Sequence, residues 1–132
     1  RLDAVQLDCA DFNLGAQQQE EDRLAGTSIK PTTPEAAIGW LYTHEGSTLG
    51  AAFLLKYAKD QLGLSETFGA RHLAGHTEGR GLHWRQFKQA LDNLDLTPEA
   101  RTEAVEGARA AFAFVRASVE ELMADNQPAA AV

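Results

Sequence analysis

The sequence Thr-Pro-Glu occurs twice, at 33–35 and 97–99, and each copy precedes a long stretch with helical periodicity. Threonine caps the first free amides of a helix, and proline is favoured at the first helical position. Glutamate in the first turn is stabilised by the positive end of the helix dipole. The first copy therefore predicts a helix from Pro34 to about Leu62, with Gly63 as its C-cap.

Three stretches show apolar residues in steps of three and four, which is the spacing of one helix face. The longest follows the second Thr-Pro-Glu copy and predicts a helix from Pro98 to about Ala124. The apolar sets, in chain order, are Leu2, Val5, Cys9 and Phe12; Trp84, Phe87, Leu91 and Leu94; and Val105, Ala108, Phe112, Val115, Val119 and Leu122. No stretch shows convincing period-two alternation, so the sequence predicts an all-α fold.

The segments outside these helices indicate the domain organisation. Residues 13–33 are polar and contain two glycines and a proline, which indicates an exposed connection. Residues 125–132 are predicted to form a flexible tail. A chain of 132 residues is long enough to bury one core, so we predict a single domain over 1–132.

Charge and cysteine content disfavour several functions and locations. The formal net charge of −7 argues against nucleic acid or an anionic membrane surface as a partner. No apolar run is long enough to span a bilayer, and the first residues lack the apolar core of a signal peptide. A single cysteine allows no internal disulfide and fits a reducing compartment, so we predict a cytoplasmic protein.

The first long helix carries three glycines on one side, which we call the glycine stripe. On a helical wheel, Gly39, Gly46 and Gly50 fall within an arc of ~40°. Phe53 and Tyr57 continue the same line. Glycine inside a helix costs about 1 kcal/mol relative to alanine, so a stripe of them indicates that another group approaches the helix backbone.

The residues alone leave three explanations of the glycine stripe open. A second helix can cross there, with Thr43 at the edge of the contact. Alternatively, a flat ligand lies against the bare backbone and aromatic side chains close its edges. The third explanation is a bend at Gly46 and Gly50 without any partner. Without further information, the residues favour the helix crossing.

Two segments, GWLYTHEGSTLGAAFLLKYA (39–58) and FGARHLAGHTEGRGLHWRQF (68–87), closely resemble the bacterial biliverdin-producing heme oxygenases. The resemblance runs from about Glu35 to Leu122. It implies a heme-oxygenase-like helical bundle that cleaves heme oxidatively to biliverdin, carbon monoxide and ferrous iron. Heme is then both cofactor and substrate, and the reaction also takes O2 and an external electron donor, either a ferredoxin or a reductase.

In that family the glycine-rich helix is the distal helix, which lies across the heme face where O2 binds. The resemblance therefore implies catalytic roles for Gly46, Gly50 and Ser47. The glycines contact the O2 side, and Ser47 and Glu45 orient water or brace a bend. The implied heme-binding residues are Tyr42, Gly46, Gly50, Phe53, Tyr57 and Phe112.

The resemblance also implies a partner that this sequence does not contain. Members of the family ligate the heme iron through a proximal histidine on their first helix, and nothing here matches that segment. We therefore expect an N-terminally incomplete chain whose missing helices carry this histidine. His44 lies on the distal helix but points about 140° away from the glycine stripe, so it is a poor ligand.

Other clusters give weaker indications. His72 and His76 are four residues apart, but nearby glycines make a helix there doubtful, so no metal site is predicted and His72 is expected to hydrogen-bond to neighbouring segments. Arg71, Arg80 and Arg85 are expected on a solvated surface rather than against an acidic electron donor or heme carboxylates. On the last helix, Phe114 points about 160° away from Phe112 and is expected to pack elsewhere.

Two functions of other classes remain alternatives at this point. One is a carrier or sensor that binds heme or another tetrapyrrole without turnover. The other is a helical interaction module whose glycine stripe packs against another helix. Heme turnover with O2 and a reductant separates the enzyme from the first, and heme binding separates it from the second.

Overall fold

The structure is a computed structural model and describes residues 2–15, 30–76 and 79–125, without the side chains of Leu122 and Asp125. Among these residues the regular elements are a 3₁₀ turn at Arg71–Leu73 and the α-helices α1 (Leu2–Asp11), α2 (Pro34–Leu62), α3 (Arg80–Asp92) and α4 (Pro98–Asp125). The same residues contain isolated β-bridges at Ser65 and no strand, which confirms the predicted all-α class. None of the described helices is both long and apolar enough to cross a membrane.

Two predictions fall largely on residues that the structure does not describe. The connection predicted for 13–33 includes residues 16–29, which lie outside the described residues. The tail predicted for 125–132 likewise includes residues 126–132. Both therefore stay predictions.

Both Thr-Pro-Glu sequences begin helices, as predicted. The Thr33 hydroxyl accepts a hydrogen bond of 3.1 Å from the N–H of Ala36, and the Thr97 hydroxyl accepts one of 3.2 Å from the N–H of Ala100. After the end of α2, Gly63 has a φ of 66°, a left-handed conformation that favours glycine. The ends of these helices are thus set by local capping.

The chain divides into two compact units. The α1–α3 unit comprises the described parts of residues 1–30 and 45–94, and the α4 unit comprises those of 31–44 and 95–132. Helix α2 contributes its beginning to the α4 unit and its remainder to the α1–α3 unit. The prediction of a single domain over 1–132 stays a prediction.

In the α4 unit, α2 and α4 cross with their backbones in contact. A Cβ atom on Gly39 would lie 2.0 Å from the carbonyl oxygen of Ala104. A Cβ atom on Gly107 would lie 2.2 Å from the carbonyl oxygen of Ala36. Real Cβ atoms essentially never approach another heavy atom within 3.0 Å, so neither position accepts a side chain without movement of the helices.

Two side chains of α2 reinforce this crossing. The Thr43 hydroxyl donates to the carbonyl of Gly39 at 3.2 Å and also lies 3.4 Å from the carbonyl oxygen of Ala108, on α4. The rings of Trp40 and Phe114 pack with their centroids 5.8 Å apart. This contact confirms that Phe114 packs away from the predicted heme-contacting side of α4.

The packed face of α4 consists of small residues rather than the large apolar ones that revealed the helix. Gly107 is buried because the two backbones approach so closely, and Ala111, one turn further along α4, is also buried. The large residues at the recurring positions are exposed instead: Val105, Phe112, Val115 and Val119. The periodicity therefore predicted the helix correctly, but the largest side chains of that pattern do not mark its contact with α2.

In the α1–α3 unit, carboxylates join α1 to the 3₁₀ turn. Asp8 is 5% exposed and accepts hydrogen bonds from the backbone N–H groups of Arg71 and His72, at 3.0 and 2.9 Å. The His72 ring adds a contact of 2.7 Å between its Nδ1 and Oδ2 of Asp8. The Arg71 guanidinium pairs with both Asp8 and Asp11. The prediction for His72 is confirmed, whereas the prediction of a solvated Arg71 is wrong.

These contacts lower the pKa of both carboxyl groups. Burial raises the pKa of Asp8, but the hydrogen bonds from His72 and Arg71 outweigh burial and lower the pKa from 3.8 to about 2. The hydrogen bond from the Arg71 side chain lowers the pKa of Asp11, although burial opposes it. Helix α1 is therefore attached at this point by charged hydrogen bonds.

Candidate functional site

Gly46 and Gly50 lie in the α1–α3 unit, and among the described residues no backbone of another helix lies against them. A Cβ atom on Gly50 would meet no described atom within 4 Å. A Cβ atom on Gly46 would lie 3.5 Å from Cη2 of Trp84, which is an ordinary van der Waals distance. The glycine stripe thus has two parts: Gly39 is packed against a helix backbone, whereas Gly46 has room for a methyl group and Gly50 has open space beside it.

The line of Gly46 and Gly50 continues into exposed aromatic residues. Positions 46, 50, 53 and 57 follow one another in steps of four and three along a continuous helix, so they share one face. Phe53 is 80% exposed and Tyr57 is 62% exposed. We call these four residues the open glycine face, because bare backbone and exposed aromatic rings lie side by side on it. Contiguous exposed apolar surface of this kind is typical of a binding site.

The two remaining predicted heme contacts belong to the α4 unit. Tyr42 is 42% exposed and Phe112 is 61% exposed. Both aromatic side chains therefore present surface to which a ligand can bind. Their contact with heme stays a prediction, as do the contacts predicted for the open glycine face.

The segment between the two open glycines is braced by hydrogen bonds. Ser47 is exposed, and Thr48 is buried, with its hydroxyl donating to the carbonyl of Glu45 at 2.7 Å. The carboxylate of Glu45 lies 2.7 Å from Nε2 of His83, at the start of α3. Glu45 thus has a partner that the sequence could not indicate, because the two residues are far apart along the chain.

Arg80 joins three segments of the α1–α3 unit. Its Nη1 donates to the carbonyl of Thr48 at 2.7 Å, and its Nη2 donates to the carbonyl of Leu73 at 2.5 Å. The prediction that Arg80 is solvated is therefore wrong, whereas Arg85 is exposed as predicted. Arg80 and the Trp84 indole hold α3 against the part of α2 that carries Gly46, and no local motif signals either contact.

Three of the four histidines take part in two separate sets of contacts. His72 is bound to Asp8, as described above. The ring of His76 instead stacks on that of His83, with centroids 3.7 Å apart and an interplanar angle of 18°. Because His83 also contacts Glu45, ligand atoms of these three residues lie within 4.8 Å of one another. The sequence spacing suggested only the pair His72 and His76, which the structure assigns to different contacts.

Three comparisons relate the chain to known proteins. A family profile described as heme oxygenase matches residues 11–121. Heme oxygenase PigA of Pseudomonas aeruginosa is 42% identical over 113 residues, which cover 85% of this chain and 54% of PigA. The crystal structure of the NO- and CO-bound heme oxygenase of Neisseria meningitidis matches with 52% identity and a TM-score of 0.66, over 75% of this chain and 48% of that one. The chain therefore spans about half the length of the relatives it matches.

Proposed function

Since this chain belongs to the heme oxygenase family, we propose that it binds heme against the open glycine face of α2 and acts in the oxidative cleavage of heme to biliverdin, carbon monoxide and ferrous iron. Heme is the substrate of this reaction and also its cofactor. When bound, its iron supplies the activation of O2, with electrons from an external donor. The protein supplies binding, orientation and control of access to the ring.

The surroundings of Gly50 carry this proposal. No described atom lies within 4 Å of a Cβ built on Gly50, so no helix contact explains the missing side chain. The helix-crossing explanation applies to Gly39, which meets α4 through its backbone. A flat macrocycle approaches a helix backbone most closely where side chains are absent, and Phe53 extends the apolar surface from that point. The described residues therefore fit a heme face at this position.

Each residue of this region has a proposed task. Gly46 and Gly50 let the heme face approach α2 and present peptide groups instead of acidic side chains on the O2 side. Ser47 orients ordered water there. Phe53 packs against the macrocycle, and the Tyr57 hydroxyl donates a hydrogen bond to a heme propionate.

The proposal also includes groups that lie outside the open glycine face. In the α4 unit, Tyr42 and Phe112 are proposed as further heme contacts. Because the matched residues cover only 54% and 48% of the two relatives, we propose that additional N-terminal helices carry the histidine that ligates the iron. A ferredoxin or a reductase supplies electrons, and the reaction takes place in the bacterial cytoplasm.

A hemin titration with two matched variants tests the placement of heme. Gly50→Leu adds a side chain to the open glycine face, whereas Ala52→Leu adds the same side chain at an exposed position about 160° away around α2. Both are made in the chain preceded by the N-terminal helices of the N. meningitidis relative, and the unextended chain is titrated beside them. We expect Gly50→Leu to weaken heme binding at least about tenfold, or ~1.4 kcal/mol, and Ala52→Leu to leave it unchanged.

Addition of ascorbate in air then tests turnover by the appearance of biliverdin absorbance. Equal heme affinity in Gly50→Leu and Ala52→Leu would place heme elsewhere. Heme binding without biliverdin formation in the unsubstituted extended chain would favour a tetrapyrrole carrier or sensor. Absence of heme binding in both the extended and the unextended chain would favour a helical interaction module.

A further inference from the structure

Three side chains with metal-binding groups meet beside the open glycine face. Glu45 comes from α2, His76 from the irregular segment after the 3₁₀ turn, and His83 from the first turns of α3. Oε2 of Glu45 lies 2.7 Å from Nε2 of His83, and the two imidazole rings stack at 3.7 Å. One ligand atom from each residue lies within 4.8 Å of the other two.

We propose that Glu45, His76 and His83, called here the His₂Glu cluster, form a binding site for a divalent transition-metal ion such as Zn²⁺. Imidazole nitrogen and carboxylate oxygen are ligands that Zn²⁺ and its first-row neighbours accept. Three protein ligands leave one position of a tetrahedral site for water. No residue of the glycine stripe belongs to the cluster, so the site does not depend on heme being present.

The contact between Glu45 and His83 already holds a proton between a nitrogen and an oxygen. A metal ion that binds both atoms replaces this proton, as is general for histidine and carboxylate ligands. Arg80 does not compete for the carboxylate, because its guanidinium donates to the carbonyls of Thr48 and Leu73. Glu45 is therefore available to a cation together with His83.

Metal binding requires one imidazole ring to turn. The lone pair of an imidazole lies in the ring plane, and the planes of His76 and His83 differ by only 18°, so the stacked rings cannot both point at one ion. His76 is exposed and lies outside the helices, so its ring can turn at low cost, whereas His83 is held by Glu45. Ligand atoms at ~2.0 Å from a tetrahedral ion are about 3.3 Å apart. The atoms of Glu45 and His83, now 2.7 Å apart, must separate by about 0.6 Å, and no other pair has to approach by more than about 1.5 Å.

Titration of the metal-free chain with Zn²⁺, in competition with a chromophoric chelator and without heme, tests this site. We expect one ion per chain at the cluster. His76→Gln and Glu45→Gln should each weaken binding by at least about 10–100-fold, since even second-sphere partners contribute that much. His44→Gln is the matched control, because His44 precedes Glu45 on α2 and is exposed outside the cluster.

A second probe separates coordination from folding. Co²⁺ bound by nitrogen and oxygen in a tetrahedral site gives visible absorption bands, which should appear in the unsubstituted chain and in His44→Gln but disappear in His76→Gln. Circular dichroism checks that His76→Gln keeps its helices, as expected for an exposed residue. The proposal is overturned if Zn²⁺ does not bind up to about 1 mM. It is equally overturned if His76→Gln binds as tightly as His44→Gln.

Discussion

Gly39 and Gly50 lie on the same side of the same helix and differ in what surrounds them. A Cβ atom on Gly39 would lie 2.0 Å from a carbonyl oxygen of α4, whereas one on Gly50 would meet no described atom within 4 Å. The sequence presents both as members of one glycine stripe. In the structure, a helix crossing explains the glycines at positions 39 and 107 but not those at 46 and 50. The ligand proposal concerns only the second pair.

The largest expected loss of stability comes from adding a methyl group where α2 and α4 cross. Gly39→Ala should lower the free energy of unfolding by about 2–3 kcal/mol, because the new Cβ overlaps the α4 backbone and this outweighs the gain in helix propensity. Urea denaturation, followed by the fluorescence of Trp40 in a Trp84→Phe background, measures the loss. A loss below about 0.5 kcal/mol would contradict a backbone-to-backbone crossing.

Acid should affect the stability of the α1–α3 unit and that of the crossing in the α4 unit differently. Because the folded-state pKa of Asp8, about 2, lies below its ordinary 3.8, its stabilisation is present above about pH 5 and is lost as the pH falls towards 2. The α1–α3 unit should lose up to about 2 kcal/mol over this range. An acid titration of Trp84 fluorescence in a Trp40→Phe background follows the loss.

Two controls sharpen the acid experiment. Asp8→Asn should remove most of the pH dependence of the Trp84 signal, since the amide does not titrate. Trp40, packed on Phe114 in the α4 unit, reports on the crossing, where backbone packing dominates. Equal acid midpoints for the two tryptophans would show that both regions unfold together and would contradict this prediction.

A smaller effect is expected from the hydroxyl group at the crossing. Thr43→Val keeps the shape of the side chain and removes its contacts with the carbonyls of Gly39 and Ala108, so it should cost about 1 kcal/mol in unfolding free energy. Thr102→Val is the control, since its hydroxyl donates only to Pro98 of its own helix and is exposed. Equal losses in urea denaturation would mean that the Thr43 hydroxyl adds nothing to the crossing.

The smallest expected change in the free energy of unfolding is a gain in stability rather than a loss. Gly50→Ala should raise the free energy of unfolding by about 0.5–1 kcal/mol, because alanine favours the helix and the new methyl group meets open space. Gly46→Ala should behave similarly, since the Trp84 ring edge lies at an ordinary contact distance. Thermal unfolding without heme measures both. A destabilised Gly50→Ala would reveal packing at this position.

The features that were correctly predicted from sequence depend on near neighbours. Thr33 and Thr97 cap helices through amides three residues away, and Gly63 ends α2 by its own conformation. The direction of Phe114 follows from helix geometry alone. The family resemblance rests on longer motifs and is confirmed by the comparisons.

The features that could not be predicted depend on residues distant in sequence. Nothing near Gly39 distinguishes it from Gly50, because the difference lies in Gly107 on another helix. Arginine is usually a surface residue, and only the pairing with carboxylates of α1 makes Arg71 part of a contact between segments. The His₂Glu cluster likewise brings together three segments whose spacing follows no local pattern. The heme contacts stay predictions, because they concern a surface rather than a contact within the chain.

The close approach of α2 and α4 limits which amino-acid substitutions can be tolerated during evolution. At Gly39 and Gly107 an added Cβ would collide with main-chain atoms of Ala104 and Ala36. A collision with a side chain can be relieved by a second mutation that trims that side chain, but every amino acid carries the same main chain. Any codon change that replaces either glycine therefore has no compensating substitution at the point of contact. Proteins that keep this crossing should therefore keep glycine at both positions. At position 46, by contrast, a larger residue could be accommodated if a smaller one replaced Trp84.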